Sequence, residues 1–151
     1  MGTHHAGRPE EVLALDTYIK LARATDTLYH KFARSLKERG LSTSQLGVLE
    51  LLHHMGPMCQ RAAAEKLLQS GGNVTTVVDN LEQRGLVRRE RQTDDRRFIT
   101  LHLTDEGRAL ITDLFPKHAG VITQSLACLT PAEQHMLGEL CRKLGKANAA
   151  P

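Results

Sequence analysis

Residues 12–36 place apolar side chains at alternating spacings of three and four: Val12, Leu15, Ile19, Ala22, Tyr29, Ala33 and Leu36, interrupted once by Asp26. This is the seam of a helix that packs along its whole length. Leu21, Leu28 and Phe32 form a second stripe beside it. Pro9 stands before the helix and Gly40 is placed to end it after Lys37 and Arg39, so the spacing predicts a helix over residues 11–39. At the rise of an α-helix it is roughly 43 Å long. The chain has 151 residues, about one domain's worth. One domain of that size rarely needs so long a helix with apolar residues on two faces, and a second subunit is the simplest cover for the extra stripe.

The remaining chain reads as a series of short elements. Ser42-Thr43-Ser44-Gln45 is a capping-box pattern with Ser42 as N-cap, opening a helix whose apolar side carries Leu46, Leu49, Leu52 and Met55 until Gly56-Pro57 stops it. Arg61–Leu68 is a short helix with Ala63, Ala64, Leu67 and Leu68 apolar. Ser70-Gly71-Gly72 is expected to turn, and Asn73 to cap a helix from Val74 to about Arg84 that buries Val74, Val77, Val78 and Leu81 and ends at Gly85. The period then changes. Leu86–Gln92 and Phe98–Leu103 read as two short strands around the charged loop Thr93–Arg97, a β-hairpin. Thr104 with Asp105 and Glu106 starts a helix to about Ala127, bent at Pro116. Thr130-Pro131-Ala132-Glu133 caps a last helix carrying Leu137, Leu140, Cys141 and Leu144.

Composition removes several classes of function. No run approaches 18 apolar residues, which excludes a helical membrane span, and residues 1–10 contain no apolar secretory signal. Cys59, Cys128 and Cys141 are odd in number and far apart, arguing against a disulfide framework or zinc ribbon and for a reducing, cytoplasmic setting. His53-His54 point about 100° apart on a helix and form no chelating pair, so no metal or other cofactor is expected. No nucleophile motif or phosphate loop is present, and Gly71-Gly72 falls far short of one, so no enzyme is expected. Aromatic residues are only 3%, which argues against stacking of single-stranded bases.

Helix, helix, short helix, glycine turn, helix and hairpin is the order of a winged helix-turn-helix: mainly α with a small β-hairpin wing. Such a unit lays one helix in the DNA major groove while the hairpin reaches the backbone or minor groove. The candidate reading helix offers Asn73, Thr75, Thr76, Asn80 and Gln83 opposite its core face, side chains able to hydrogen-bond base edges and pack on thymine methyls. Gly72 leaves its N-terminus open to a phosphate. A polar face of this kind is by itself most often merely solvated, and local charge does not decide: residues 73–97 hold six arginines against five acids. Four of the six nevertheless lie close to the wing, where arginine suits phosphates and narrow minor grooves.

The motifs L-S-T-S-Q-L-G-V-L at 41–49, N-V-T-T-V-V-D-N-L-E-Q-R-G-L-V at 73–87, D-D-R-R at 94–97 and L-T-D-E-G at 103–107 resemble those of the MarR family of bacterial transcription regulators. Asp95, Arg97, Leu103, Thr104 and Gly107 match that family's wing pattern in register. The resemblance implies a homodimer on a pseudo-palindromic double-stranded DNA operator, with half-sites about 34–36 Å apart. It also implies that Arg97 enters the minor groove and that Asp95 orients it. The expected organisation is an N-terminal dimerisation helix (1–40), a DNA-binding domain (41–103) and C-terminal dimerisation helices (104–151). The candidate DNA-binding residues are Gly72, Asn73, Thr75, Thr76, Asn80, Arg84, Asp95, Arg96 and Arg97. Several family members release DNA when a small aromatic acid, phenol or quinone-like compound binds, which makes a repressor with such an effector the expected function. His30, Phe32, His53 and Phe115 are candidates to line its pocket, or they simply pack. A protein-binding winged helix and a redox-responsive regulator using Cys59 are the alternatives.

Overall fold

The computed structural model describes residues 2–67, 71–91 and 99–148. Along them run α1 (Pro9–Lys37), α2 (Thr43–Met55), β1 (Met58–Cys59), α3 (Gln60–Lys66), α4 (Gly71–Gln83), β2 (Val87–Arg91), β3 (Ile99–Leu103), α5 (Asp105–Leu126) and α6 (Pro131–Asn148). The chain is mainly helical with a small antiparallel sheet, the winged helix-turn-helix class expected from the order of its elements. It divides into two compact units, Met1–His118 and Ala119–Pro151, with the division inside α5.

The ends of the helices follow from local chemistry. Pro9 occupies the first turn of α1, so the helix begins two residues earlier than predicted. Its end is set by Gly40, at φ 62°, with the Leu41 amide reaching back 3.3 Å to the Leu36 carbonyl; this is a glycine-terminated helix end. Ser42 Oγ accepts the Gln45 amide at 3.1 Å, and Gln45 Oε1 accepts the Ser42 amide at 2.9 Å, completing the predicted capping box of α2. Thr130 and Glu133 form the same reciprocal arrangement at the start of α6.

Three local expectations are corrected. Gly71 and Gly72 are helical, so Asn73 lies inside the first turn of α4 and is not its N-cap. Met55 is more than half exposed and Val48 is buried in its place, because the inner face of α2 runs through Leu46, Val48, Leu49 and Leu52. The sheet has three strands in the order β1-β3-β2. The third, β1, pairs Met58 with Leu101 and Cys59 with Thr100. Two residues carry no alternation that a sequence pattern can register.

In the first unit one core joins all the elements. Leu36 from α1, Leu49 from α2, Ala63 from α3, Val74, Val78 and Leu81 from α4, Leu101 from β3 and Ile111 from α5 are at most 1% exposed. Each large aliphatic side chain so buried is worth about 1.5–3 kcal/mol relative to exposure.

The junction of α4, β2 and α5 is the tightest part of this unit. Gly85 (φ 69°) ends α4, with the Leu86 amide bonded 2.9 Å to the Leu81 carbonyl. Thr104 Oγ1 donates to the Gly85 carbonyl at 2.6 Å and accepts the Gly107 amide at 3.0 Å, so one hydroxyl caps α5 and ties it to the exit of α4. Gly107 is buried against the Leu86 carbonyl, where a Cβ would fall far inside contact distance of the oxygen and 2.9 Å from its carbon. The L-T-x-x-G motif is therefore a packing device. Gly107→Ala is expected to destabilise the protein by about 1–3 kcal/mol in urea unfolding, the usual effect of overpacking; an unchanged midpoint contradicts the close approach.

Candidate nucleic-acid interface

α4 separates its side chains cleanly. Val74, Val78 and Leu81 are fully buried and Val77 is 8% exposed. Gly72, Asn73, Thr75, Thr76, Asp79, Asn80 and Gln83 face outward and are exposed. A helix anchored on one face by β-branched side chains presents the other without freedom to roll. The outward residues are mostly short. Thr76 Oγ1 donates to the Gly72 carbonyl at 3.2 Å, and Asn80 Nδ2 donates to the Thr76 carbonyl at 2.9 Å, so both side chains lie along their own helix. The Thr75 hydroxyl accepts a 2.9 Å hydrogen bond from Gln60 Nε2 at the start of α3.

Arg84, a candidate DNA-binding residue, and Arg89, beside the wing, both bond to other groups of the protein. Arg84 Nη1 donates to the Gly40 carbonyl at 2.7 Å and Nη2 to the Arg39 carbonyl at 3.3 Å, tying the end of α4 to the end of α1. Arg39 in turn pairs with Asp113 on α5 at 3.1 Å. The Arg89 guanidinium lies between Asp79, Glu82 and Gln60. Arg88 remains exposed beside Glu90, at 3.0 Å.

β2 and β3 form the stem of the wing, paired from Val87↔Leu103 to Arg91↔Ile99. Their antiparallel pairing matches the predicted hairpin, and Leu101 on β3 is fully buried. The loop between them, with Asp95, Arg96 and Arg97, lies outside the described residues. The stem ends on the same side of the unit as the outward face of α4, because Arg89 of β2 contacts Thr75 and Asp79 of that helix.

Among the four candidate pocket residues, no direct ring contact links one to another. Phe32 of α1 meets His118 of α5 edge-on at 5.7 Å, and Phe115 of α5 meets His54 of α2 at 4.7 Å. His53 stacks edge-on against its neighbour His54, at 4.9 Å. His30 instead faces Asp26 at 3.3 Å and borders an open groove with Arg34, Lys37 and Gln45. Sequence reading missed His54 and His118, the two imidazoles that bring aromatic rings of different helices together. Neither is marked by spacing, since the contact spans α1, α2 and α5.

Burial holds the pKa of His118 below its ordinary value of 6.5, against the smaller opposing pull of the Glu50 carboxylate. Its Nδ1 is buried with no hydrogen-bond partner among the described residues. The unfolded chain takes up this proton near the ordinary value and the folded chain only at lower pH. The contribution of neutral His118 to stability is therefore full above the unfolded value and falls as pH drops toward the lowered one. His118→Gln is expected to flatten this acid limb when urea unfolding is compared at about pH 7.5 and about pH 5.5; an acid loss equal to that of the wild type contradicts it.

Comparison with known proteins gives the geometry its context. Residues 41–99 match the model of the MarR family. The chain is 36% identical over 132 residues to YkoM, an HTH-type transcriptional regulator of Bacillus subtilis (strain 168), covering 87% of this chain and 86% of that protein. Among solved structures it is similar to Sco3205, a MarR family transcriptional regulator from Streptomyces coelicolor in complex with DNA, with a TM-score of 0.86 and 24% identity over 99% of this chain and 94% of that one. It is also similar to Bordetella bronchiseptica BpsR, whose DNA binding is regulated by 6-hydroxynicotinic acid, with a TM-score of 0.79 and 25% identity over 85% of this chain and 98% of that one. The likeness runs beyond the helix-turn-helix core into the flanking helices: the chain belongs to the MarR family of DNA-binding transcriptional regulators, proteins that are not enzymes.

Proposed function

We propose that the protein is a homodimeric repressor of the cytoplasm that binds a pseudo-palindromic operator and is released by a small aromatic ligand. The observation that carries this reading is the outward face of α4: short polar side chains on a helix held by a fully buried opposite face, flanked by a two-stranded wing stem. Residues 41–103 are the DNA-reading part. Gly72, Asn73, Thr75, Thr76 and Asn80 approach the major groove; in the wing loop Arg97 enters the adjacent minor groove, Asp95 orients it, and Arg96 is a further DNA-binding residue. Arg84 supports the helix from behind, through the end of α1.

The case for a homodimer rests on exposed apolar surface in the flanking segments 1–40 and 104–151. Leu13, Leu15, Tyr18 and Tyr29 on α1 are 39–69% exposed, and Met136, Leu137, Leu140 and Leu144 on α6 are 43–65% exposed. Leu137, Leu140 and Leu144 form one helical stripe. A two-fold-related copy supplies the same surface in return and gives two reading helices the symmetry of a palindrome. The rings of Phe32, His54, Phe115 and His118 are the candidate surface for an aromatic effector. The regulation of BpsR by 6-hydroxynicotinic acid supports that class of ligand. A dimer seated on a promoter blocks transcription by occupancy, which makes repression the simplest output.

Sequencing the duplex fragments selected by the purified protein is expected to return a palindromic site. Its affinity is expected to fall steeply with salt, with a logarithmic slope of about −0.9 for each phosphate neutralised. No enriched sequence and a flat slope contradict DNA reading. Arg97→Ala is expected to weaken operator binding by about 1–3 kcal/mol, and an unchanged affinity sinks the assignment of the wing. In sedimentation, the double variant Leu140→Glu, Leu144→Glu is expected to run as a monomer while the wild type runs as a dimer; a variant that stays dimeric removes α6 from the interface.

A further inference from the structure

Arg89 makes more polar contacts across different elements than any other described arginine. Its Nη1 lies 2.6 Å from Asp79 Oδ1 and donates to Glu82 Oε2 at 2.8 Å, both on α4. Its Nε donates to Gln60 Oε1 on α3 at 3.1 Å, and its Nη2 to the Thr75 carbonyl at 3.3 Å. Its backbone amide, on the outer edge of the sheet, is accepted by Glu82 Oε1 at 2.9 Å. The side chain is only 19% exposed, which leaves little of it to meet a phosphate. Gln60, which accepts from Arg89, also donates to the Thr75 hydroxyl.

Three physical consequences follow from this arrangement. Asp79 and Glu82 sit one turn apart on α4, where like charges repel; a single guanidinium between them removes the repulsion. The planar fork of arginine satisfies carboxylates, an amide oxygen and a carbonyl at fixed angles, which an ammonium on a flexible stem does not. A partly desolvated network with every member bonded is rigid, because each bond constrains the next. The reading helix, the preceding helix and the wing stem are thereby tied together at the residues that face outward.

We propose that Arg89 is the positioning residue of the reading head: it holds α4, α3 and β2 at one mutual orientation, and so sets base discrimination without itself contacting DNA. This rests on the reading of α4 as the DNA-reading helix. Arg89 thereby differs from the wing arginines, which act on the nucleic acid directly.

The test uses the full-length protein, with a duplex it selects and a random-sequence duplex of equal length as probes. Arg89→Lys keeps the charge and loses the fork. Its affinity for random DNA is expected to stay within about twofold of wild type and its salt slope to stay unchanged, because no phosphate contact is removed. Its preference for the selected duplex is expected to fall by about tenfold, the size of one lost base contact. Gln60→Ala, which removes the link to Thr75 but leaves the carboxylate pairs, is expected to lose preference in the same direction by a smaller factor, and it guards against failure of the first variant to fold. Preference retained in both variants overturns the proposal. So does a loss that falls equally on both duplexes and lowers the slope, since that marks a direct phosphate contact. A wild type that prefers no sequence overturns the reading of α4 itself, whereas a wild type that discriminates beside variants that also discriminate overturns only the role of Arg89.

Discussion

Helix α4 leaves the core at Gly85, β2 begins at Val87, and α5 starts at Asp105 on top of both. The close approach of Gly107 to the Leu86 carbonyl, held by the Thr104 hydroxyl, is the contact on which the rest of the unit depends. A Cβ at Gly107 would collide with the Leu86 carbonyl, and the single Thr104 hydroxyl both accepts the Gly107 amide and donates to the Gly85 carbonyl. Because of this contact, the direction of α5 and the direction of the reading helix are not independent. A displacement of α5 must act on the exit of α4 or break a buried junction, since packed interiors transmit strain instead of absorbing it.

The arginines show how one residue type serves two purposes. Arg84 and Arg89 turn inward, toward the carbonyls that end α1 and toward the carboxylates of α4. They set where the helix lies. Arg88 is exposed and, among the described residues, pairs with Glu90 on its own strand. The net charge of +3 is accordingly a poor measure of what a DNA phosphate would meet. Part of the positive charge near α4 is paired within the protein, with carbonyls at the end of α1 and carboxylates of α4.

The flanking segments have the opposite problem from the core. In the first unit α1, α2, α4, β2, β3 and α5 each deliver a large aliphatic side chain to one interior, whereas no residue of α6 is buried and its leucines stay exposed. An amphipathic helix is stable in water chiefly when its apolar face has something to cover. The seam of α1 behaves alike: Leu36 enters the core at one end, while Leu15 and Tyr29 do not. These surfaces are why a dimer is the natural reading of the chain.

Local rules determined a great deal. Capping boxes at Ser42 and Thr130, glycines at 40 and 85, and the change of period at the wing located most element ends within about two residues. The periodic valines marked the inner face of α4, and the motifs carried the family. What lay beyond them was long-range. β1 exists only because Met58 and Cys59 meet β3 some forty residues later. The direction in which Arg84 and Arg89 turn depends on carbonyls and carboxylates supplied by other elements. Likewise the ring contacts of His54 with Phe115 and of His118 with Phe32 arise because α1, α2 and α5 bring those rings together. Sequence pattern determined which face of each helix is apolar and where the helix stops, since both are set by neighbours within a few residues. Tertiary structure alone decided which polar side chains are struts and which stay available to a partner, since a charge or a hydroxyl is committed only by what the folded chain brings within hydrogen-bonding distance.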